Sequence, residues 1–305
     1  MEYTGRFAPS PTGPLHFGSL LAALASYLQA RSQRGRWLLR MEDIDPPREQ
    51  RGAGSAIIRA LESYGFEWHG PVLFQSRNIQ KHREVVARLI KAGQAYRCGC
   101  SRADLSAAPQ GPLGAIYPGT CRDGSSSRYA SVRVRTDNSP IGFDDLLQGP
   151  QSQRLEAESG DFVIQRRDRL IAYHLAVVID DFDAGISQIV RGVDLLDSTP
   201  RQIYLQTLLA YPTPEYAHIP VAVNPSGQKL SKTTGARAIP LDAVRPTLIA
   251  ALRALRQTPP VELADANLES IWGWATEHWS LAALVGQRSV SSRDNPMAGL
   301  ENRLS

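Results

Sequence analysis

A strand-like segment, Tyr3 to Ala8, runs into Pro9-Ser10-Pro11-Thr12-Gly13-Pro14 and then into a helical repeat that begins near Ser19. Leu20, Leu21, Leu24, Tyr27 and Leu28 recur at helical spacing, and Gly35 stands where a C-cap is expected. Trp37 to Met41 reads as a second strand, and residues 48–64 as a second helix that ends near Gly65. Strand, loop, helix, strand, helix is the alternation that builds a parallel sheet with covering helices. A chain of 305 residues that opens this way is long enough for two or three compact units.

The pattern changes from about Arg97 to Arg169. This stretch holds the cysteines, several Gly and Pro residues, and alternating segments such as Ala130-Ser131-Val132-Arg133-Val134-Arg135, so a mixed, mainly β insertion is expected. Apolar, strand-like runs return at Leu170 to Val178 and Ile186 to Val190, where the sheet is expected to resume. Beyond Asp242 the period is helical: Leu248, Ile249, Leu252 and Leu255, then Leu268, Ile271, Trp272 and Ala275. From about Ser289 the chain is polar and is expected to be loosely ordered.

Charge and cysteine content narrow the function classes. A net charge of +4 permits a nucleic-acid partner without demanding one, because the arginines are scattered and form no basic tail. No apolar run approaches the roughly 18 to 20 residues of a membrane span, and Met1 to Arg6 offers no apolar signal core, so a cytoplasmic protein with no membrane partner is expected. The three cysteines, all between Cys98 and Cys121, are too few and too clustered for a disulfide framework and point to a metal site. Two thiolates at Cys98 and Cys100 and a third at Cys121 supply three corners of a tetrahedral zinc site. Spacing does not fix the fourth ligand; Tyr117 and the sequence-distant His82 are the candidates.

Two motifs carry chemistry. Pro9 to Ser19 lies between a strand and a helix, where unpaired N–H groups and the positive end of the helix dipole favour phosphate. Gly13 and Gly18 let the backbone approach a ligand closely, and His16 can donate to a phosphoryl oxygen. Lys229-Leu230-Ser231-Lys232-Thr233 follows the turn Asn224-Pro225-Ser226-Gly227 and holds two of the four lysines in the chain. Two such cations on a loop can follow charge as it develops on a triphosphate.

In order and in their separation of about 210 residues, these motifs resemble the HIGH and KMSKS signatures of class I aminoacyl-tRNA synthetases. Here His16-Phe17-Gly18-Ser19 ends in Ser, and Leu230 and Thr233 replace Met and Ser. Arg6 to Gly13, Leu39 to Asp45, Tyr173 to Asp181 and Val190 to Leu196 resemble the glutamyl branch of that class. Cys-x-Cys-x16-Tyr-x3-Cys resembles the zinc site of the glutamyl-Q tRNA(Asp) synthetase family, as does the short stretch of 72 residues after Thr233, which leaves no room for a large anticodon-binding region.

The resemblance implies an α/β fold: a Rossmann-like class I catalytic domain in two halves (1–96 and 170–235), an inserted zinc-bearing α+β domain (97–169), and a short C-terminal helical region with a polar tail (236–305). It implies that Arg6, Phe7, Ala8, Pro9, Ser10, Glu42, Tyr173 and Arg191 bind glutamate. ATP falls to His16, Gly18, Ser19, Asp194 and Lys232, with His16, Lys229 and Lys232 catalytic and Mg²⁺ accompanying the nucleotide. The resemblance also implies that Cys98, Cys100, Tyr117 and Cys121 hold one structural Zn²⁺.

The chemistry agrees with that assignment. Arg6 and Arg191 can grip a side-chain carboxylate with fork geometry, and Glu42 can pair with an α-ammonium. Glutamine would leave a buried cation unpaired. The implied reaction is glutamate activation by ATP, then transfer to queuosine in the anticodon of tRNA(Asp), by a monomer. Two other readings stay open at this point. One is a discriminating glutamyl-tRNA synthetase that charges tRNA(Glu); the other is a glutamate- or adenylate-binding paralogue without transfer activity.

Overall fold

The structure, a computed structural model, describes residues 2–111, 114–224, 227–230 and 237–291. Three parallel strands and three helices alternate first: β1 (Thr4–Phe7), α1 (Phe17–Ser32), β2 (Arg36–Met41), α2 (Ala53–Ser63), β3 (Leu73–Phe74) and α3 (Ile79–Lys91). The middle of the chain is rich in strand: β4 (Ala95–Cys98), β5 (Gln110–Gly111), β6 (Gly114–Ala115), β7 (Ser131–Val134), β8 (Pro140–Asp145), β9 (Gly149–Arg154), the one-turn α4 (Leu155–Glu158) and β10 (Val163–Gln165). Then come α5 (Tyr173–Asp183), β11 (Gln188–Gly192), α6 (Thr199–Leu209), β12 (Glu215–Ile219), β13 (Val221–Val223), α7 (Val244–Ala254), α8 (Leu268–Glu277) and β14 (Ser289–Ser291).

β2 pairs in parallel with both β1 and β3, and β11 in parallel with β12. β11 lies beside β1, where the Ser187 N–H donates to Thr4 O at 3.0 Å. The order β3-β2-β1-β11-β12 is that of a doubly wound sheet, with its switch point between β1 and β11. Ligands bind such sheets at the carboxyl ends of the strands flanking that point. The expected Rossmann-like α/β class is the fold observed.

β2 shows why a central parallel strand needs apolar residues on both faces. Trp37, Leu39 and Met41 pack with α1 in the main core, Leu38 joins a separate cluster on the other face, and every residue but Arg36 is buried. Arg40 shares the face of Leu38 and is almost fully buried, so it must find an anion there. Tyr27 of α1 meets Trp37, Phe66 and Trp272 edge-on at 5.0, 5.3 and 4.8 Å between ring centroids. This cluster docks the C-terminal helices onto the sheet.

A smaller antiparallel sheet, β10-β7-β4, occupies the stretch expected to be a mainly β insertion. One face packs Val132, Val134 and Ile164 on α3 and α5; the other carries Tyr96 and Cys98 toward the cysteine cluster. The β8–β9 hairpin instead joins the main sheet, through a parallel pairing of Asp145 with Tyr216 of β12.

Three local expectations change. Residues 173–183 form α5 rather than a strand from Leu170 to Val178. Leu175 to Asp181 are all buried, and a short apolar run buried all round has no period to separate strand from helix. Gly35 is needed for another reason than capping: a Cβ there would collide with Tyr3 O, while the left-handed position after α1 belongs to Arg34 (φ 51°). Ser289–Ser291, expected to be loose, forms β14 against β13; the tail from 292 lies outside the described residues.

Candidate active site and metal centre

A cleft of about 540 Å³ opens at the carboxyl ends of β1 and β11. Its lining includes Arg6, Phe7, Ala8, Pro9, Ser10, His16, Gly18, Ser19, Glu42, Tyr173, Arg191, Asp194 and Lys229, so one surface collects every expected glutamate or ATP residue that the structure describes. Lys232, with Ser231 and Thr233, lies outside the described residues.

Backbone geometry sets the phosphate end. α1 starts at Phe17 with His16 as its N-cap: His16 Nδ1 accepts from the Ser19 N–H at 3.2 Å, and Nε2 lies 3.0 Å from Ser19 Oγ. The acceptor role of Nδ1 places the proton of a neutral His16 on Nε2, beside the hydroxyl. The N-terminus of this 16-residue helix therefore presents its orphan N–H groups and dipole to the cleft. Opposite, Lys229 Nζ pairs with Asp194 Oδ2, and the Asp194 carboxylate packs so close to Gly192 that a Cβ there would force its Oδ1 to move.

The other end is a buried charge network. Arg6 Nε donates to Asp181 Oδ1 at 3.1 Å and Arg40 Nη1 to the same oxygen at 2.6 Å, while Arg40 Nη2 lies 3.4 Å from Glu42 Oε1. Burial alone would raise the Asp181 carboxyl, but Arg40 and Arg6 overcome it and hold its pKa below the ordinary value. Glu42 moves the other way: burial dominates and pushes it up, with Arg40 and Arg6 opposing. Tyr173 is also raised, first by burial, with Arg191 opposing.

Arg191 is held differently. Its Nε donates to His218 Nε2 at 3.0 Å, Nη2 to Thr199 Oγ1 at 2.8 Å, and Nη1 to Tyr173 Oη at 3.4 Å. His218 Nδ1 in turn lies 2.5 Å from Asp145 Oδ2. An Nε2 that accepts from Arg191 leaves the imidazole proton on Nδ1, toward Asp145. Burial, with Arg191 adding to it, pulls the His218 pKa down to about 4 against the opposing pull of Asp145; Asp145 is itself lowered, its burial offset by His218. The result at neutral pH is a neutral imidazole between an ionised Asp145 and Arg191.

These partners were invisible to motif reading. Arg40 and Asp181 fall inside the signature segments but had no assigned role. Asp145 and His218 had no local signal, since they meet Arg191 only through the β8, β11 and β12 pairings, while Thr199 opens α6 eight residues after Arg191 and had no assigned role.

The metal candidates converge. Cys98, Cys100 and Cys121 place their sulfurs within 4.8 Å of one another. Tyr117 Oη lies 3.3 Å from Cys98 Sγ and 3.6 Å from Cys100 Sγ, and Cys100 Sγ lies 3.5 Å from Cys121 Sγ. Three sulfurs and one oxygen at such separations suit a single tetrahedral ion with bonds of about 2.0–2.3 Å. Burial and the neighbouring thiols raise the Tyr117 hydroxyl. Burial also pushes Cys121 up, but hydrogen bonds from Tyr117 and the Gly99 N–H win and bring it to about 7. His82, the alternative fourth ligand, sits fully buried on α3 with Nε2 2.9 Å from Asp180 Oδ1, and is not among the clustered cysteines' neighbours. No helix of the described residues is long and apolar enough to cross a membrane.

The family model described as tRNA synthetases class I (E and Q), catalytic domain, matches residues 2–247. The chain is 52% identical over 295 residues to a glutamyl-Q tRNA(Asp) synthetase of Dechloromonas aromatica (strain RCB), covering 94% of this chain and 97% of the relative. It is 52% identical over 290 residues to one of Pseudomonas fluorescens, covering 95% and 96%. Among solved structures, a glutamate tRNA ligase from Elizabethkingia meningosepticum, crystallised in complex with its amino acid, superposes with a TM-score of 0.77 at 22% identity, over 95% of this chain and 67% of that one; this likeness speaks to the fold. The chain belongs to the class I glutamyl- and glutaminyl-tRNA synthetase family and, within it, to the glutamyl-Q tRNA(Asp) synthetases.

Proposed function

We propose that this chain activates L-glutamate with ATP and transfers it to queuosine in the anticodon of tRNA(Asp). The observation that carries the reading is the convergence of Arg6, Glu42, Tyr173 and Arg191 with His16, the α1 N-terminus and Lys229 on one cleft. The names of relatives at about half identity over nearly the whole chain supply the acceptor.

In the first step the glutamate α-carboxylate attacks the α-phosphorus of ATP, and pyrophosphate leaves. The carboxylate is already ionised, so no general base is needed and catalysis is positioning plus charge stabilisation. Arg191 takes the side-chain carboxylate, Glu42 the ammonium, and the backbone of Phe7 to Ser10 lies along the amino acid. His16, Gly18, Ser19 and Asp194 take ATP, which arrives with Mg²⁺, and Lys229 and Lys232 follow the charge on the departing pyrophosphate. In the second step a queuosine hydroxyl attacks the mixed anhydride and AMP leaves.

Zn²⁺ suits the Cys98, Cys100, Tyr117, Cys121 set; with four protein ligands it would serve structure and not catalysis. The proposed organisation keeps the catalytic halves at 1–96 and 170–235, the zinc-bearing insertion at 97–169 and the helical region at 236–305, in a cytoplasmic monomer.

The test is transfer of labelled glutamate, with ATP, to three RNAs: tRNA(Asp) carrying queuosine, the same tRNA without it, and tRNA(Glu). Label on the first alone is expected. Label on tRNA(Glu) would make the chain a compact translational synthetase, and adenylate formation with no labelled RNA would overturn the transfer step.

A further inference from the structure

Outside the active-site cleft, a second recess of about 440 Å³ lies on the small antiparallel sheet. Arg97, Arg128, Arg167 and Arg169 surround it, all exposed, and Tyr129 stands at its edge with 72% of its surface free. Among the described residues, Arg97, Arg128 and Arg169 have no carboxylate within salt-bridge distance. The acid in the lining, Asp168, is engaged by Arg166 at 2.7 Å. Four like charges around one concavity repel one another, and folding alone gives no reason to gather them.

The recess connects to the active site. Arg166 also binds Asp45 at 3.1 Å, and Asp45 pairs with Arg48, which lines the cleft. The 166–169 turn is thus fastened on one side to the lip of the cleft, and on the other Arg167 donates to Gly99 O between two of the clustered cysteines. A polyanion with its reacting group in the cleft can pass over this turn and into the recess.

From this we infer that the recess seats the RNA strand flanking the reacting nucleotide, its phosphates on Arg97, Arg128 and Arg169 and an unstacked base on Tyr129. Unpaired guanidinium forks beside an exposed aromatic are the pair of features that hold single-stranded nucleic acid. An acidic peptide would satisfy the arginines but leave Tyr129 without a role. The inference rests on the reading above that the acceptor is a tRNA.

The test is equilibrium binding of the queuosine-bearing tRNA by fluorescence anisotropy between about 50 and 200 mM salt, with tRNA-independent pyrophosphate exchange as the check on folding and activation. Arg97→Ala/Arg128→Ala should flatten the plot of log affinity against log salt by about 2 in slope, about 1 per lost phosphate contact, and leave pyrophosphate exchange unchanged. Tyr129→Ala should weaken binding roughly tenfold or more at every salt concentration while keeping the parental slope. Parental affinity and slope in both variants would overturn the inference and leave the proposed reaction intact. A wild-type protein that binds no tRNA would overturn the proposed reaction and the surface with it.

Discussion

Two arginines face the same cleft from neighbouring strands, and their surroundings differ. Arg6, at the end of β1, is bonded directly to the Asp181 carboxylate, which Arg40 shares. Arg191, at the end of β11, touches a neutral imidazole, a threonine hydroxyl and a phenol, and its nearest anion in that chain, Asp145, stands on the far side of the His218 ring. Both are nearly buried, at 4% and 5% exposure. A buried cation already matched by a carboxylate has little field left for a ligand; one held by neutral acceptors is oriented yet unneutralised. The difference teaches that Arg6 is tied into a charge-matched pin between β1 and α5, whereas Arg191 is oriented without a direct anionic partner, which favours the proposal that it takes the substrate carboxylate.

The largest expected effect breaks the locked side. Asp181→Ala leaves Arg6 and Arg40 buried without their shared anion and should cost about 3–5 kcal/mol of stability, read from denaturant midpoints. A midpoint close to wild type would mean that Arg6 is not anchored as described. Arg191→Ala should do the opposite: it removes a cation whose protein partners are neutral or one ring away, so stability should fall little. kcat/KM for glutamate in pyrophosphate exchange should nonetheless fall on the order of 10²-fold or more, as for a buried ligand charge left unpaired. If Arg6→Ala lost glutamate affinity as specifically, with stability kept, the division of labour would be wrong.

A comparable loss of about 10²-fold is expected for Lys229→Ala and for Lys232→Ala, but in kcat with the KM for glutamate unchanged, because the role proposed for these lysines is at the phosphate end. Next in size is the acceptor behind Arg191. His218→Phe deletes the Nε2 acceptor and should raise the KM for glutamate roughly tenfold, the scale of one lost hydrogen bond to a charged group. His218→Gln, which restores an acceptor, should recover most of the loss, whereas a purely structural role would leave the two variants equally impaired.

The smallest effect is on pH dependence. His218 and His174 have folded pKa values of about 4 and about 3, below the ordinary 6.5, chiefly because burial disfavours the cation. Between pH 6.5 and about 4 the unfolded chain binds protons that the folded one refuses. Stability held above pH 6.5 should therefore drain away as the pH falls through that window. His218→Gln should make the decline shallower, as measured by denaturant midpoints at stepped pH.

How much of this was legible follows from where each signal resides. The Pro9–Ser19 loop, Lys229 and the cysteine spacing carry local signals, because a helix N-terminus, the cation that follows a turn and a cluster of cysteines each draw on residues close in the chain. That is why one cleft and one cluster gather them as expected. The α5 error is local too: Leu175 to Asp181 are buried on all sides, so no period survives in the sequence to reveal a helix.

By itself, the sequence determined the doubly wound opening, the residue types that meet the cleft and the clustering of the three cysteines, because hydrophobic period and motif spacing are properties of the chain. Only the tertiary structure decided which charges neutralise one another. Arg40 meets an aspartate 141 residues away and Asp145 a histidine 73 residues away. Strand register and helix packing bring these groups together, and in a low-dielectric interior a contact within hydrogen-bonding distance decides whether an arginine is a structural pin or remains available to a ligand.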